Sequence, residues 1–177
     1  MARSMGQGER SKTRQGWAFP AALLITLALP VGVAAAGCVT HAEREAKMVR
    51  HLQTELMIGA LRCRGSRDAG QRRLYERFVE VHRATLRREA EVLRAYFERR
   101  HDVGSGAALD RHVAGLAGRI SSASRSIDDF CSRVARFATG LLEDAPAALS
   151  EAAAHAPVPY VADEPLCRMG TAAARLD

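Results

Sequence analysis

From residue 41 onward the apolar positions recur every third or fourth residue, the spacing of one helix face. Leu52, Leu56, Gly59 and Cys63 fall at steps of 4, 3 and 4 and predict a first helix over 41–62. Gly59 costs about 1 kcal/mol in helix propensity, but on that stripe it lets a neighbouring helix approach closely. Arg64 to Gly70 reads as a loop, with Gly65 and Gly70 as punctuation. A second helix over 71–100 is the clearest, because Tyr75, Val79, His82, Leu86, Ala90, Leu93 and Phe97 keep the 3-4 register without a gap. Two glycines in HDVGSGA end it. Leu109, Val113, Leu116 and Ile120 mark a third helix, and Ile127, Phe130, Val134, Phe137 and Leu141 a fourth. Ala123 would carry the register between them and make one continuous helix. SSASRSIDD argues for a break near Ser121 to Ser126, with Ser126 and Asp129 spaced as a capping box.

The fold class expected is therefore all-α: a small up-and-down bundle of four helices, the third and fourth alternatively one. No alternating strand pattern and no repeat period appears. After Leu142, EDAPAALSEAAAHAPVPY supports at most one short Ala-rich helix before Pro157 and Pro159. The stretch from there to Asp177 lacks apolar periodicity, and is expected to be poorly ordered unless Cys167 ties it down.

Ahead of the helices the pattern changes. Arg3, Arg10, Lys12 and Arg14 precede an uncharged run from Gly16 to Cys38, which ends in small residues after Pro30. A basic start, an apolar stretch and an A-x-A site at Ala34 to Ala36 are the parts of a secretory signal peptide. The domain organisation expected is thus a signal peptide over 1–36, a helical domain over 37–144, and a short helix with a tail over 145–177. An uncleaved leader acting as a membrane anchor is one rival. The other is a lipobox at Ala35-Ala36-Gly37-Cys38, with lipidation of Cys38, although Ala35 stands where a leucine is usual.

The leader also changes the charge. Of 26 basic and 20 acidic residues, four and one lie in the first 36, so the remainder carries 22 against 19, a net charge of +3. That is too little for the concentrated basic footprint of a nucleic-acid binder, so such a partner is not expected. The nine Arg and five Glu from Arg72 to Arg100 read as a solvated face. Docking of an acidic partner or anionic lipid on that face is the functional rival.

Export makes the four cysteines a disulfide framework before it makes them ligands or nucleophiles. Three connectivities are open. In an up-and-down bundle the end of the first helix and the start of the fourth share one end of the molecule, which favours Cys63–Cys131. Cys38 and Cys167 remain as a second pair near the two mature ends. There is no C-x-x-C, no C-x-x-C-H and no zinc-finger spacing.

Other chemistry is thin. His51 and Glu55 are four apart and could share a metal, yet no third ligand has a definable spacing. His82 lies on an apolar stripe and reads as a packed histidine. Ser105 sits in GSG without the G-x-S-x-G of a nucleophile elbow. No P-loop and no G-x-G-x-x-G after a strand is present, so no cofactor is expected. A small hydrolase or metal enzyme would need His51, His82 or His112 to converge with carboxylates.

LQTELMIGALRC, LYERFVEVHRATLRREAEVLRAYF, ALDRHVAGLAGRISSASRS and DFC resemble a group of small, uncharacterised, secreted alpha-helical proteins of alphaproteobacteria, over about residues 49 to 137. The resemblance implies export and a helical fold, and supplies no active site. The label S-adenosyl-L-homocysteine hydrolase, sometimes given to such short chains, does not suit this one. That enzyme is several times longer and needs a dinucleotide-binding βαβ unit. The expectation is an exported, non-enzymatic helical protein of the periplasm or cell envelope, acting through protein contacts. The alternative is a lipoprotein tethered at Cys38, its basic second helix near anionic lipid.

Overall fold

The computed structural model describes residues 37–63, 70–143 and 148–167. The expected leader over 1–36, the loop at 64–69 and the end of the tail at 168–177 lie outside the described residues. Among the described residues there are six helices: α1 (His41–Arg62), α2 (Gln71–Val81), α3 (Arg83–Arg100), α4 (Ser105–Ser124), α5 (Phe130–Glu143) and α6 (Leu149–Ala153). The fold is all-helical, and the only β pairing among the described residues is the isolated parallel bridge Val39–Leu166.

α1 starts at a capping box. The Thr40 hydroxyl accepts from the Glu43 N–H at 3.2 Å, and the Thr40 N–H donates to Glu43 Oε2 at 2.9 Å. This helix packs against each of α2 to α6. Its apolar stripe, with Leu52 and Leu56, meets Phe78, Leu116, Ile120, Phe130 and Val134 in one core cluster. A second cluster gathers Val39, Ala46, Leu93, Tyr96, Phe97 and Ala108.

One element differs from the expectation, so that the four bundle helices become five, and α6 is the short Ala-rich helix expected before Pro157. The second helix is divided at His82, whose φ of −98° and ψ of 15° leave the helical region. The hydrogen bonds His82 N–H to Phe78 C=O and Leu86 N–H to His82 C=O continue across the break at 3.0 and 2.9 Å. The divided stripe then serves two clusters, Phe78 and Leu86 in the first, Leu93, Tyr96 and Phe97 in the second. The third and fourth helices are separate, with the break at 125–129, a little later than expected. Asp129 takes a φ of 53° there, a left-handed conformation that aspartate tolerates better than most residues.

Where α1 crosses α5 the chains are close. A methyl group built on Gly59 would stand 2.9 Å from Val134 Cγ1, a buried core atom. Gly59→Ala is therefore expected to destabilise by about 1–3 kcal/mol in spite of its better helix propensity. Adding Val134→Ala should relieve the clash, and thermal unfolding of the single and double variants measures both effects. The close approach expected of Gly59 is thus present.

Both disulfides form: Cys63–Cys131 joins the end of α1 to the start of α5, and Cys38–Cys167 joins the two ends of the described chain. The buried Gln71 side chain adds a hydrogen bond of 2.6 Å to the Cys131 carbonyl, drawing the start of α2 to the same corner. Two disulfides suit an oxidising, non-cytoplasmic compartment. Among the described residues no helix is long and apolar enough to cross a membrane.

Leu149, Ala153 and Val158 belong to the first core cluster. From Ala154 to Cys167 the chain forms a strap that returns to the start of α1, where Val39 N–H donates to Pro165 C=O at 3.0 Å and Cys167 N–H to Val39 C=O at 2.8 Å. Cys167 ties down the stretch after Pro157, the condition under which that stretch was expected to be ordered.

Candidate functional site

One face of α1 is polar and nevertheless buried. Glu43, Lys47, His51 and Glu55 follow one another at intervals of four residues and are each no more than 5% exposed. Four-residue steps stack side chains along a single helix face, and this face is covered by α3 and the strap. Buried polar groups require partners, and each of these four finds one.

Glu43 receives the Arg99 guanidinium from α3. Burial works to raise its carboxyl, but the hydrogen bonds from Arg99 and from the Thr40 backbone prevail and hold it below the usual value. Lys47 Nζ pairs with Glu164 of the strap and lies 3.6 Å from Asp163. The Tyr96 hydroxyl donates to Glu164 at 2.7 Å, and Arg100 reaches the same carboxylate at 3.1 Å. Burial opposes ionisation of Glu164 as well, yet Lys47 and Tyr96 hold its carboxyl low. Arg44 donates to the Glu164 backbone carbonyl at 2.8 Å. Glu164 thereby ties the strap to α1 and α3 together.

His51 and Glu55 grip the backbone of a single strap residue. His51 Nε2 lies 2.8 Å from the Val158 carbonyl oxygen, and the Val158 N–H donates to Glu55 Oε1 at 2.8 Å. A carbonyl can only accept, so Nε2 carries the ring proton in this contact. Burial lowers the affinity of His51 for a second proton against the pull of the Val158 carbonyl, and nearby Arg119 lowers it further. Burial also pushes the Glu55 carboxyl up to about 7, with the Val158 N–H opposing. The second oxygen of Glu55 is buried without a hydrogen-bond partner among the described residues, 3.8 Å from His51 Nε2. Both groups are held toward their neutral forms, so the pair acts as a hydrogen-bonding clip in place of an ion pair.

Beside the clip, α1, α4 and the strap enclose a cavity of about 220 Å³. His112, Leu116, Arg119, Ile120 and Ala123 line it from one face of α4, Lys47 and His51 from α1, and Val158 to Val161 with Asp163 from the strap. The His51 and Tyr160 rings meet edge to face at 5.7 Å. His112, whose proton affinity burial lowers, packs 5.3 Å from the Phe97 ring.

The structure thus brings His51 and His112 to one cavity, with Glu55 behind His51, and leaves His82 elsewhere. His82 is half-buried at the α2–α3 break, its ring 5.0 Å from Phe78 and its Nε2 buried without a hydrogen-bond partner among the described residues. Ser105 is the first residue of α4. Among the described residues no group of three His, Cys, Asp or Glu side chains is arranged to hold a metal. Arg72 and Arg77 pair with Glu76 and Glu80 on the exposed side of α2, and Arg88 of α3 pairs with the half-buried Glu89.

The sequence reading saw His51 with Glu55 but missed the stripe to which they belong. Its signal was present: a charged or titratable residue at every fourth position of a central helix. No protein-family model, curated protein or solved structure matches the chain.

Proposed function

We propose that the chain is an exported, non-enzymatic helical protein of the periplasm or cell envelope, and that it acts through protein contacts on its solvated faces. The observation that carries this reading is the engagement of its chemically capable side chains in holding the strap. His51 and Glu55 clip the Val158 backbone, and Lys47 is paired with Glu164. A general base or nucleophile has to reach a substrate proton or carbon, and these groups are turned to internal partners. The disulfides support export, and the paired Arg and Glu of α2 and α3 suit a mixed-charge protein surface better than a nucleic-acid footprint.

The tethered alternative needs the Cys38 sulfur for a thioether, and that sulfur is bonded to Cys167. The Cys38–Cys167 pairing therefore supports the untethered reading. Intact-mass and N-terminal analysis of the chain isolated from its native envelope tests the reading. A mature chain beginning at unmodified Gly37, recovered in the soluble envelope fraction, is the expected result. A diacylglyceryl group on Cys38, a retained leader or a cytoplasmic reduced chain would refute it. The oxidised chain is also expected to capture a protein partner in stoichiometric amount from envelope extract.

A further inference from the structure

The cavity between α1, α4 and the strap has a charge count that specifies a ligand. Lys47 faces it, but Lys47 and Arg100 together are balanced by the two carboxylates of Glu164 and Asp163. His51 and His112 are held toward neutrality by burial. Arg119 is exposed at the rim and has no ion pair among the described residues. Its guanidinium folds back along α4, within 3.5 Å of where a side chain on Gly115 would begin. One cation is therefore left over beside a floor of Leu116, Ile120, Ala123 and Val158.

We propose that this cavity binds a small monoanionic carboxylate whose apolar body is the size of one aromatic ring. The carboxylate meets Arg119 at the rim, and the ring lies on Leu116, Ile120 and Val158. Size supports the assignment: a dry apolar cavity of about 150 Å³ holds benzene, and about 220 Å³ leaves room for a short substituent. Charge supports it too, because an arginine fork accepts a carboxylate through two parallel hydrogen bonds. The edge-to-face pair of His51 and Tyr160 provides a ring wall beside the ligand. This site does not depend on the export reading or on a protein partner.

Calorimetric titration of the oxidised full chain with phenylacetate and with its neutral isostere phenylacetamide tests it. Phenylacetate is expected to bind at least about tenfold more tightly than the amide, since a charge-assisted hydrogen bond is the stronger kind. Arg119→Gln, a change at an exposed position, should erase that preference while leaving the melting temperature unchanged. Ala123→Phe should fill the floor and abolish binding of both probes, and backbone amide NMR shifts on phenylacetate addition should concentrate at Val158 and Tyr160. Failure of wild type to bind phenylacetate, an unchanged preference in Arg119→Gln, or shifts confined to another face would overturn the proposal.

Discussion

Replacing both Cys63 and Cys131 by serine should lower stability by about 4 kcal/mol and the melting temperature by roughly 10–15 °C. The bridge spans a sequence separation of 68 residues, so its removal returns a long loop of freedom to the unfolded chain. Cys63 is buried at the end of α1 and its partner stands in the first turn of α5, so both helices lose a fixed end. The same loop-closure arithmetic gives about 5 kcal/mol for Cys38–Cys167, whose separation is 129 residues. The two losses should nevertheless differ in kind. The strap can open as a unit while α1 to α5 stay packed, so Cys38→Ser with Cys167→Ser should first expose residues 159–167 to amide hydrogen exchange. The Cys63 and Cys131 variant should lower the global transition. Equal exchange protection of the strap in both variants would contradict this division.

Between pH 5 and pH 8 the wild type should lose stability relative to Glu55→Gln, by on the order of 3 kcal/mol. The sign follows from burial. Folded Glu55 gives up its proton only near 7, whereas an unfolded carboxyl does so at its ordinary 4.5. Between those values the folded chain holds a proton that the unfolded chain has released. Its stabilisation is complete below 4.5 and is lost as pH rises through 7. Glutamine keeps an oxygen for the Val158 N–H but cannot ionise, so its profile should lack this slope. His51 works in the opposite sense. Its folded value is depressed, so its contribution is present above its ordinary 6.5 and is lost as pH falls. In the wild type the two slopes therefore oppose one another below pH 6.5, and Glu55→Gln should leave only the His51 slope, with stability rising toward higher pH. Urea unfolding of both chains across this range reads the difference directly. Parallel profiles would show that Glu55 does not titrate in the buried clip.

The apolar stripes were legible because helices that pack on one another must repeat their contacts every three or four residues. α1 has the bounds its stripe implies, and Leu116, Ile120, Phe130, Val134 and Leu141 are all buried. The break at His82 left no mark in the spacing, since the register continues through it while the helix changes partners. The polar stripe of α1 was hidden for a different reason. Glu43, Lys47, His51 and Glu55 resemble a solvated face until Arg99, Val158 and Glu164 cover them, and those partners lie 56 to 117 residues away. The strap lacked periodicity because backbone pairing, one carboxylate cluster and a disulfide hold it, none of which needs an apolar repeat. The cysteine pairing was reachable because it followed from which helix ends are neighbours.

Two disulfides close the chain, and its end is folded back on its first helix. Peptide mapping of the natively isolated chain, digested without reduction, measures this most directly. Linked peptides containing Cys63 with Cys131 and Cys38 with Cys167 are the expected result. Free thiols at these positions, exchanged partners, or a lipid on Cys38 would contradict it.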